Sequence, residues 1–114
     1  MDDLVEKLRK FAAERDWGQF HSPKNLSMAL AVEVAEILEH FQWLTEEQSR
    51  DLDQETLNKV RQEIGDVQIY LARLADQLGF SPLDAALEKL EISRLKYPPD
   101  KARGNSKKST EFDR

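Results

Sequence analysis

Four acidic side chains form two pairs with the same internal spacing. Glu33 and Glu36 stand three residues apart, and Glu63 and Asp66 repeat that spacing after 26 intervening residues. Residues i and i+3 lie on the same side of a helix, so each pair would present two carboxylates together. Oxygen-only ligands of this kind favour Mg²⁺, or Mn²⁺ as a substitute, over zinc, and leave room for water and phosphate oxygens. The spacing therefore predicts a carboxylate metal site.

The same pairs have a simpler interpretation, because acids three residues apart are common on the solvated faces of amphipathic helices. The metal interpretation gains support because both pairs border an apolar stripe, so that two helices packed by their stripes would bring four carboxylates together. Such crowding raises the pKa of each acid, and a divalent cation reverses that penalty. His40 lies near the same border, but a single histidine there is more often a packing residue, so the predicted site omits it.

Long helices must carry these pairs, because no stretch of the sequence alternates with the period of a strand. Capping residues mark the helix starts, and Gly79 and the prolines at 98–99 mark helix ends. The spacing of Thr45 and Gln48 is that of a capping box and predicts one short extra turn. A polar loop is expected over residues 16–24. The predicted helices cover residues 2–15, 22–42, 53–78 and 81–96.

The third predicted helix has the clearest packing pattern, with apolar residues recurring in steps of three and four. The second predicted helix carries a wider apolar stripe that would face the same core. Short connections favour antiparallel neighbours, so the sequence predicts an all-α, up-and-down bundle of four helices. A protomer of this size buries a limited core, which also predicts a homo-oligomer. The seam residues are Leu57, Val60, Ile64, Val67, Leu71, Leu74 and Leu78.

Composition places the chain among compact water-soluble domains. Its 114 residues suffice for one domain, and 39% apolar with 34% charged residues is typical of neither disordered chains nor membrane proteins. The absence of cysteine excludes disulfides and thiolate sites, and two histidines make a zinc site improbable. No apolar run has the length of a membrane span, and the first residues do not resemble a signal peptide. We therefore expect a cytoplasmic protein.

Charge is distributed unevenly along the chain. Residues 89–108 carry a net charge of +5, which leaves −10 on the remainder. An acidic body argues against a partner such as a nucleic-acid polymer, whereas a basic segment suits a smaller phosphate ligand. A solvated acidic surface with a basic tail is the simpler alternative. The chain is thus divided into a helical domain over residues 1–97 and an extended basic arm over residues 98–114.

Several motifs together resemble the MazG-like superfamily of all-α nucleotide pyrophosphohydrolases, in its dCTP pyrophosphatase-like branch. The acidic pairs match the family's ExxE and ExxD signature, and the similarity extends over about residues 4–108. The further matching stretches are residues 11–21, 23–26, 41–43 and 63–71.

The resemblance implies an enzyme that hydrolyses a nucleoside triphosphate between its α and β phosphates, releasing a monophosphate and pyrophosphate with magnesium. Position by position, Glu33, Glu36, Glu63 and Asp66 become metal ligands. Such ions neutralise the triphosphate and lower the pKa of a bound water. Glu36, or else Glu63, is the candidate acceptor for the proton of that water. The implied role is the removal of unwanted nucleotides.

The resemblance also assigns the substrate contacts. Aromatic side chains suit a nucleobase, which has a π face for stacking and polar edges for hydrogen bonds. The implied base-site residues are Trp17, Gln19, Phe20, His21, Trp43 and Tyr70, and the candidates for the phosphates are Lys24, Lys89, Arg94, Lys101 and Lys108.

Two positions depart from the pattern of the animal dCTP enzymes. Ser93 stands where asparagine is usual, and Leu8 stands where the first helix can contribute a histidine. The preferred base is therefore open, with dCTP first, dATP possible, and a dUTP-type pyrophosphatase as the alternative within the superfamily. A non-enzymatic helical interaction module is the alternative outside it. The resemblance further implies a tetramer built as a dimer of dimers, with active sites near subunit boundaries.

Overall fold

The computed structural model describes residues 2–104 of the chain, and every regular element among them is helical. The all-α prediction is therefore confirmed. The described residues divide into two compact units, one ending at Ser81 and the other beginning at Pro82. The elements are α1 (Asp2–Glu14), a 3-10 turn (Trp17–Phe20), α2 (Pro23–Phe41), α3 (Glu46–Ser49), α4 (Gln54–Leu78), α5 (Pro82–Lys96) and α6 (Pro99–Ala102).

Side-chain caps fix the helix starts at the predicted residues. The Ser22 hydroxyl accepts a hydrogen bond from the backbone of Asn25 at 3.1 Å, and α2 begins with a proline, which has no amide hydrogen to leave unpaired. Asp53 caps α4 by accepting from the backbone of Thr56 at 2.7 Å. Each cap satisfies a backbone donor that the first helical turn leaves without a partner. The starts of α2 and α4 thus follow from short polar side chains.

The predicted capping box and the predicted end of α4 are both present. Thr45 accepts from the backbone of Gln48 at 3.1 Å, and the Gln48 side chain accepts from the backbone of Thr45 at 2.9 Å. Gly79 ends α4 in the left-handed conformation, with φ of 85°, which glycine adopts without a steric penalty. Helix boundaries were therefore predictable to within a few residues.

Two segments differ from the predicted loops. The loop expected over residues 16–24 contains the 3-10 turn, which Asp16 opens with a positive φ of 53°. Its short polar side chain tolerates that conformation and accepts a hydrogen bond from Gln19 Nε2 at 3.0 Å. Of the arm expected to be extended over residues 98–114, residues 99–102 form α6, because a proline at the first helical position favours a helix start. Residues 105–114 lie outside the described part of the chain.

In the first unit, α4 packs along α2 and, over a shorter stretch, against α1, which also contacts the 3-10 turn. Few residues are fully buried, and most of them are small. Small side chains allow two helix backbones to approach closely. The buried apolar residues are Ala12, Leu26, Val60, Ala72 and Ala75.

The apolar seam predicted on α4 is only partly covered. Val60 is buried, whereas Leu57, Ile64, Leu71 and Leu78 each keep more than a third of their surface exposed. Periodicity identifies an apolar stripe but does not say what covers it. The first unit alone therefore leaves apolar surface available, and the four-helix bundle and the oligomer remain predictions. None of the helices in the described part of the chain is both long and apolar enough to span a membrane.

Candidate active site

The packing of α2 against α4 places the two acidic pairs close enough to influence one another. The pKa of Glu33 is raised above its usual range, first because its carboxyl group is desolvated. A hydrogen bond with Glu36 and the negative charges of Glu36, Asp66 and Glu63 raise it further. The four predicted metal ligands thus form one electrostatic cluster, termed here the acidic cluster.

Two oxygens of the acidic cluster are buried without a hydrogen-bond partner, Oε2 of Glu33 and Oε2 of Glu63. Such groups are uncommon, because each forgoes its hydrogen bonds to water without replacement. Within residues 2–104, the side chains as they are positioned in this structure include no group of three or more histidine, aspartate or glutamate residues that could hold a metal ion. Carboxylate oxygens that lack partners nevertheless fit a hard divalent cation, which binds oxygen ligands and offsets their mutual repulsion.

His40 belongs to the surroundings of this cluster, although the predicted site omits it. Its Nε2 lies 2.5 Å from Glu63 Oε2, a close contact between a side chain of α2 and one of α4 that is not aligned as a hydrogen bond. The signal was present in the sequence, because His40 follows Glu36 by four residues and so shares its side of α2. A histidine beside a candidate ligand carboxylate can orient that carboxylate.

An apolar cavity of about 330 Å³ lies between α1, the 3-10 turn and α4. It brings together four residues of the predicted site, Trp17, His21, Asp66 and Tyr70. Concave, largely apolar walls with a few polar groups are typical of small-molecule sites. The remaining lining residues are Lys7, Leu8, Phe11, Ala12, Ile69 and Arg73.

Aromatic contacts shape the wall contributed by the 3-10 turn. The Trp17 ring meets the Phe11 ring edge to face, with centroids 5.4 Å apart, and lies 6.0 Å from the His21 ring. The Arg15 guanidinium lies over the Phe11 ring, 3.7 Å from its centroid. These contacts hold Trp17 and His21 at the cavity, and their predicted contact with a base stays a prediction.

Asp66 connects the cavity with the acidic cluster. Its carboxylate raises the pKa of Glu33, and the same residue lines the cavity with Tyr70, one helical turn further along α4. A molecule in the cavity would therefore border the acids directly. The arrangement can hold a flat, partly apolar group on one side of Asp66 and a negatively charged group with its cations on the other.

Other residues predicted to contact the base do not line this cavity. Gln19 uses its side-chain amide to hold Asp16 in the 3-10 turn, at 3.1 Å from the Asp16 carbonyl. Phe20 is exposed, and Trp43, just after α2, is 86% exposed. Lys24 also lies at the surface. Their roles in binding remain predictions.

The predicted phosphate contacts on α5 and α6 belong to the second unit. On α5, Arg94 donates to both carboxylate oxygens of Glu91, with Nη2 at 2.6 Å from Oε1. Lys89 is exposed on the same helix, and Lys101 lies on α6. Lys108 falls outside the described residues.

The sequence analysis missed Arg73, which lines the cavity, and Asp76, the carboxylate that lies beside it. Arg73 is only 6% exposed, lines the cavity, and lies near His21, while Asp76 accepts hydrogen bonds from Arg9 of α1. The pKa of Asp76 is lowered, chiefly by its hydrogen bond with Arg9. The spacing contained a signal, because Arg73 follows Tyr70 by three residues and so shares the cavity side of α4.

The model of the MazG-like family matches residues 28–112. The chain belongs to the MazG-like family. It is 40% identical to human dCTP pyrophosphatase 1 over 98% of this chain and 67% of that protein, and 37% identical to the mouse protein of that name over 100% and 68%. Its fold is similar to the crystal structure of a pyrophosphatase from Archaeoglobus fulgidus, with a TM-score of 0.81, 38% identity, and coverage of 86% of this chain and 92% of that one.

These similarities confirm the predicted superfamily and the predicted class of enzyme. This MazG-like chain is a nucleoside triphosphate pyrophosphohydrolase. The interpretation as a non-enzymatic interaction module is therefore abandoned. The assignments of individual ligands and of the preferred base stay predictions.

The raised pKa of Glu33 predicts how the metal-free protein responds to pH. The folded state binds the Glu33 proton more tightly than the unfolded state, so the stability contribution is full below the usual glutamate pKa and is lost as pH rises through the raised one. Glu33→Gln in a chelator should therefore raise the Tm by roughly 2–5 °C at pH 8 and by little at pH 4. Thermal denaturation at both pH values measures this.

Glu39→Gln is the matched control, because Glu39 is exposed on the same helix. It should change the Tm little at either pH. A gain for Glu33→Gln that is the same at both pH values would contradict the assigned electrostatic cause.

Proposed function

We propose that this enzyme hydrolyses deoxynucleoside triphosphates, dCTP foremost, to the monophosphate and pyrophosphate, using Mg²⁺ or, as a substitute, Mn²⁺. The observation that carries the proposal is the position of Asp66, which belongs to both the acidic cluster and the aromatic cavity. The similarity to proteins named dCTP pyrophosphatase 1 supports the choice of substrate. The proposed role is removal of unwanted nucleotides from the cytoplasmic pool.

The acidic cluster is the proposed phosphate and metal end of the site. Glu33, Glu36, Glu63 and Asp66 would hold the cation, which when bound supplies charge neutralisation of the triphosphate and a more acidic water. Water oxygen forms the new bond to the α phosphorus, and the bond from that phosphorus to the bridging oxygen breaks to release pyrophosphate. Glu36, or else Glu63, takes the proton of the attacking water.

The cavity is the proposed base and sugar end of the site. Trp17 and His21 form one wall, and Tyr70 extends from α4 beside Asp66. Aromatic rings next to the acidic cluster suit a nucleotide, whose base is attached to a short triphosphate. Stacking on the rings does not depend on which base is present, whereas hydrogen bonds select the base. The high exposure of Trp43 agrees with a residue that contacts substrate only when the site is complete. The other proposed substrate contacts are Gln19, Phe20, Lys24, Lys89, Arg94, Lys101 and Lys108.

A panel of nucleotides tests this proposal most directly. We expect pyrophosphate release from dCTP with Mg²⁺, slower release from dTTP and dGTP, and none in a chelator, because the acids alone repel a triphosphate. A dUTP preference would favour the alternative enzyme of the same superfamily. Absence of release from every deoxynucleotide in Mg²⁺ would refute the proposal.

Single-atom changes test the assignment of the metal ligands. Glu36→Gln and Asp66→Asn each replace a carboxylate with a neutral amide of the same shape. Both should lower kcat at least about a hundredfold while the fold is retained, because a lost ligand removes charge stabilisation from the transition state. Circular dichroism checks the fold and pyrophosphate release gives the rate. Rates within threefold of wild type in both variants would refute the assignment.

The exposed apolar surface supports the proposal of a homotetramer. Half-exposed seam residues on α4 would be covered by a second copy, which adds to the limited core of one protomer. Light scattering should therefore report about four times the 13.2 kDa chain mass. Deletion after Pro99 should leave that mass ratio intact and raise the KM for dCTP, because the removed segment is basic. A 13.2 kDa particle at micromolar concentration would contradict the tetramer. An unchanged KM would contradict the role of the basic segment in binding dCTP.

A further inference from the structure

Arg73 is the one charged residue that is buried among residues 3–104. A buried guanidinium is costly unless its charge and its donors are matched. The nearest carboxylate oxygen, Oδ2 of Asp76, lies 3.8 Å from Nη1, which is too far for a hydrogen bond. Arg73 Nε is buried with no hydrogen-bond partner. The ion pair with Asp76 therefore does not account for all the donors of this side chain.

The remaining polar contact of Arg73 is with the ring of His21. Arg73 Nη2 lies 3.4 Å from His21 Nδ1, a long hydrogen bond between two residues of the cavity wall. A guanidinium has donors and no acceptor. His21 Nδ1 must therefore accept, which leaves the proton of a neutral imidazole on Nε2. Desolvation and, secondarily, the charge of Arg73 lower the pKa of His21, which agrees with a neutral ring.

Arg9 anchors this contact from the neighbouring helix. Its Nε and Nη2 donate to the two carboxylate oxygens of Asp76, at 2.9 Å and 2.5 Å, and so fix the carboxylate that faces Arg73. Arg73 Nε has no accessible surface, so no ligand reaches that atom in this structure. Arg73 lines the cavity itself, and its Nη2 contact with His21 lets it also act on the cavity through that ring.

We propose that Arg73 is a positioning residue that holds His21 as the neutral Nε2–H tautomer, giving the cavity a hydrogen-bond donor of fixed identity. A fixed donor favours a base whose ring nitrogen accepts, such as N3 of cytosine or N1 of adenine. Uracil and thymine carry a hydrogen on N3 and are disfavoured. The substrate class is then cytosine and adenine deoxynucleotides, a step that rests on the proposed function.

The tautomer can be measured without any substrate. In the full-length protein with ¹⁵N-labelled histidine, long-range proton–nitrogen spectra distinguish a protonated from an unprotonated ring nitrogen. His21→Gln assigns the signals, since the chain has two histidines. At pH 7.5 we expect Nε2 of His21 to be protonated and Nδ1 unprotonated, and Arg73→Met to give a mixture of tautomers, because methionine keeps the length and offers no donor.

The matched control is Arg61→Met, which removes an exposed arginine from the same helix and should leave the His21 signals unchanged. Retention of the wild-type tautomer in Arg73→Met would overturn the proposal. Should Arg73→Met not fold, the wild-type spectrum decides by itself, because a proton on Nδ1 excludes an accepted hydrogen bond from Arg73.

Kinetics test the consequence for base selection. With Mg²⁺, wild type should prefer dCTP to dUTP, and Arg73→Met should lower the ratio of their kcat/KM values about tenfold, mainly through KM for dCTP. If Arg73→Met alters the His21 tautomer but leaves the ratio of kcat/KM for dCTP and dUTP unchanged, the proposed link between tautomer and base selection is wrong. Should wild type hydrolyse no deoxynucleotide, the proposed function fails, whereas the spectra still decide the role of Arg73.

Discussion

Mutual repulsion among the carboxylates at the contact of α2 with α4 is the constraint on which the site depends. The repulsion is clearest at Glu33, because burial and three neighbouring acids all raise the pKa of this residue. Native domains have small net stabilities, so a cluster that disfavours its own ionisation is a substantial burden. Both helices must nevertheless pack closely, since theirs is the most extensive contact between helices in the first unit. The acids are thus held together by packing that their own charges oppose.

Helix α4 carries both parts of the site on one side. Asp66, Tyr70 and Arg73 follow one another at helical spacing, so the acidic cluster passes into the aromatic cavity within two turns. The small residues Ala72 and Ala75 are buried on the same stretch of α4. A negative group near the centre of the helix and a positive group further along therefore face one binding region.

The fold was largely predictable because its signals are local. Caps such as Ser22 and Asp53 and the stop at Gly79 act within a few residues, and no distant contact was needed to recognise them. The 3-10 turn escaped prediction because it depends on one unusual backbone conformation, at Asp16. The sequence also did not predict which surface covers the apolar seam, because an apolar stripe has the same pattern whether its own chain or another copy buries it.

The site was predictable where motif and helix periodicity coincide, as for the two acidic pairs. At His40 and Arg73 helix spacing gave a signal that was not sufficient, because an isolated charged residue on an apolar helix has the same sequence pattern whether it faces solvent or a cavity. Resolving that ambiguity requires the contact of α4 with α1 and the 3-10 turn, which brings His21 to Arg73 across 52 positions of sequence.

Exposed apolar residues on α2 connect the completeness of the site with assembly. Val34 and Leu38 lie on the helix that carries Glu33 and Glu36, and both keep at least half of their surface exposed. Trp43 follows on the same segment and is nearly bare. Any surface that covers these side chains must also come close to the acids, because one helix presents both. In the proposed oligomer, burial of the apolar face and enclosure of the acidic cluster would therefore be a single event, and assembly would act directly on the electrostatics of the site.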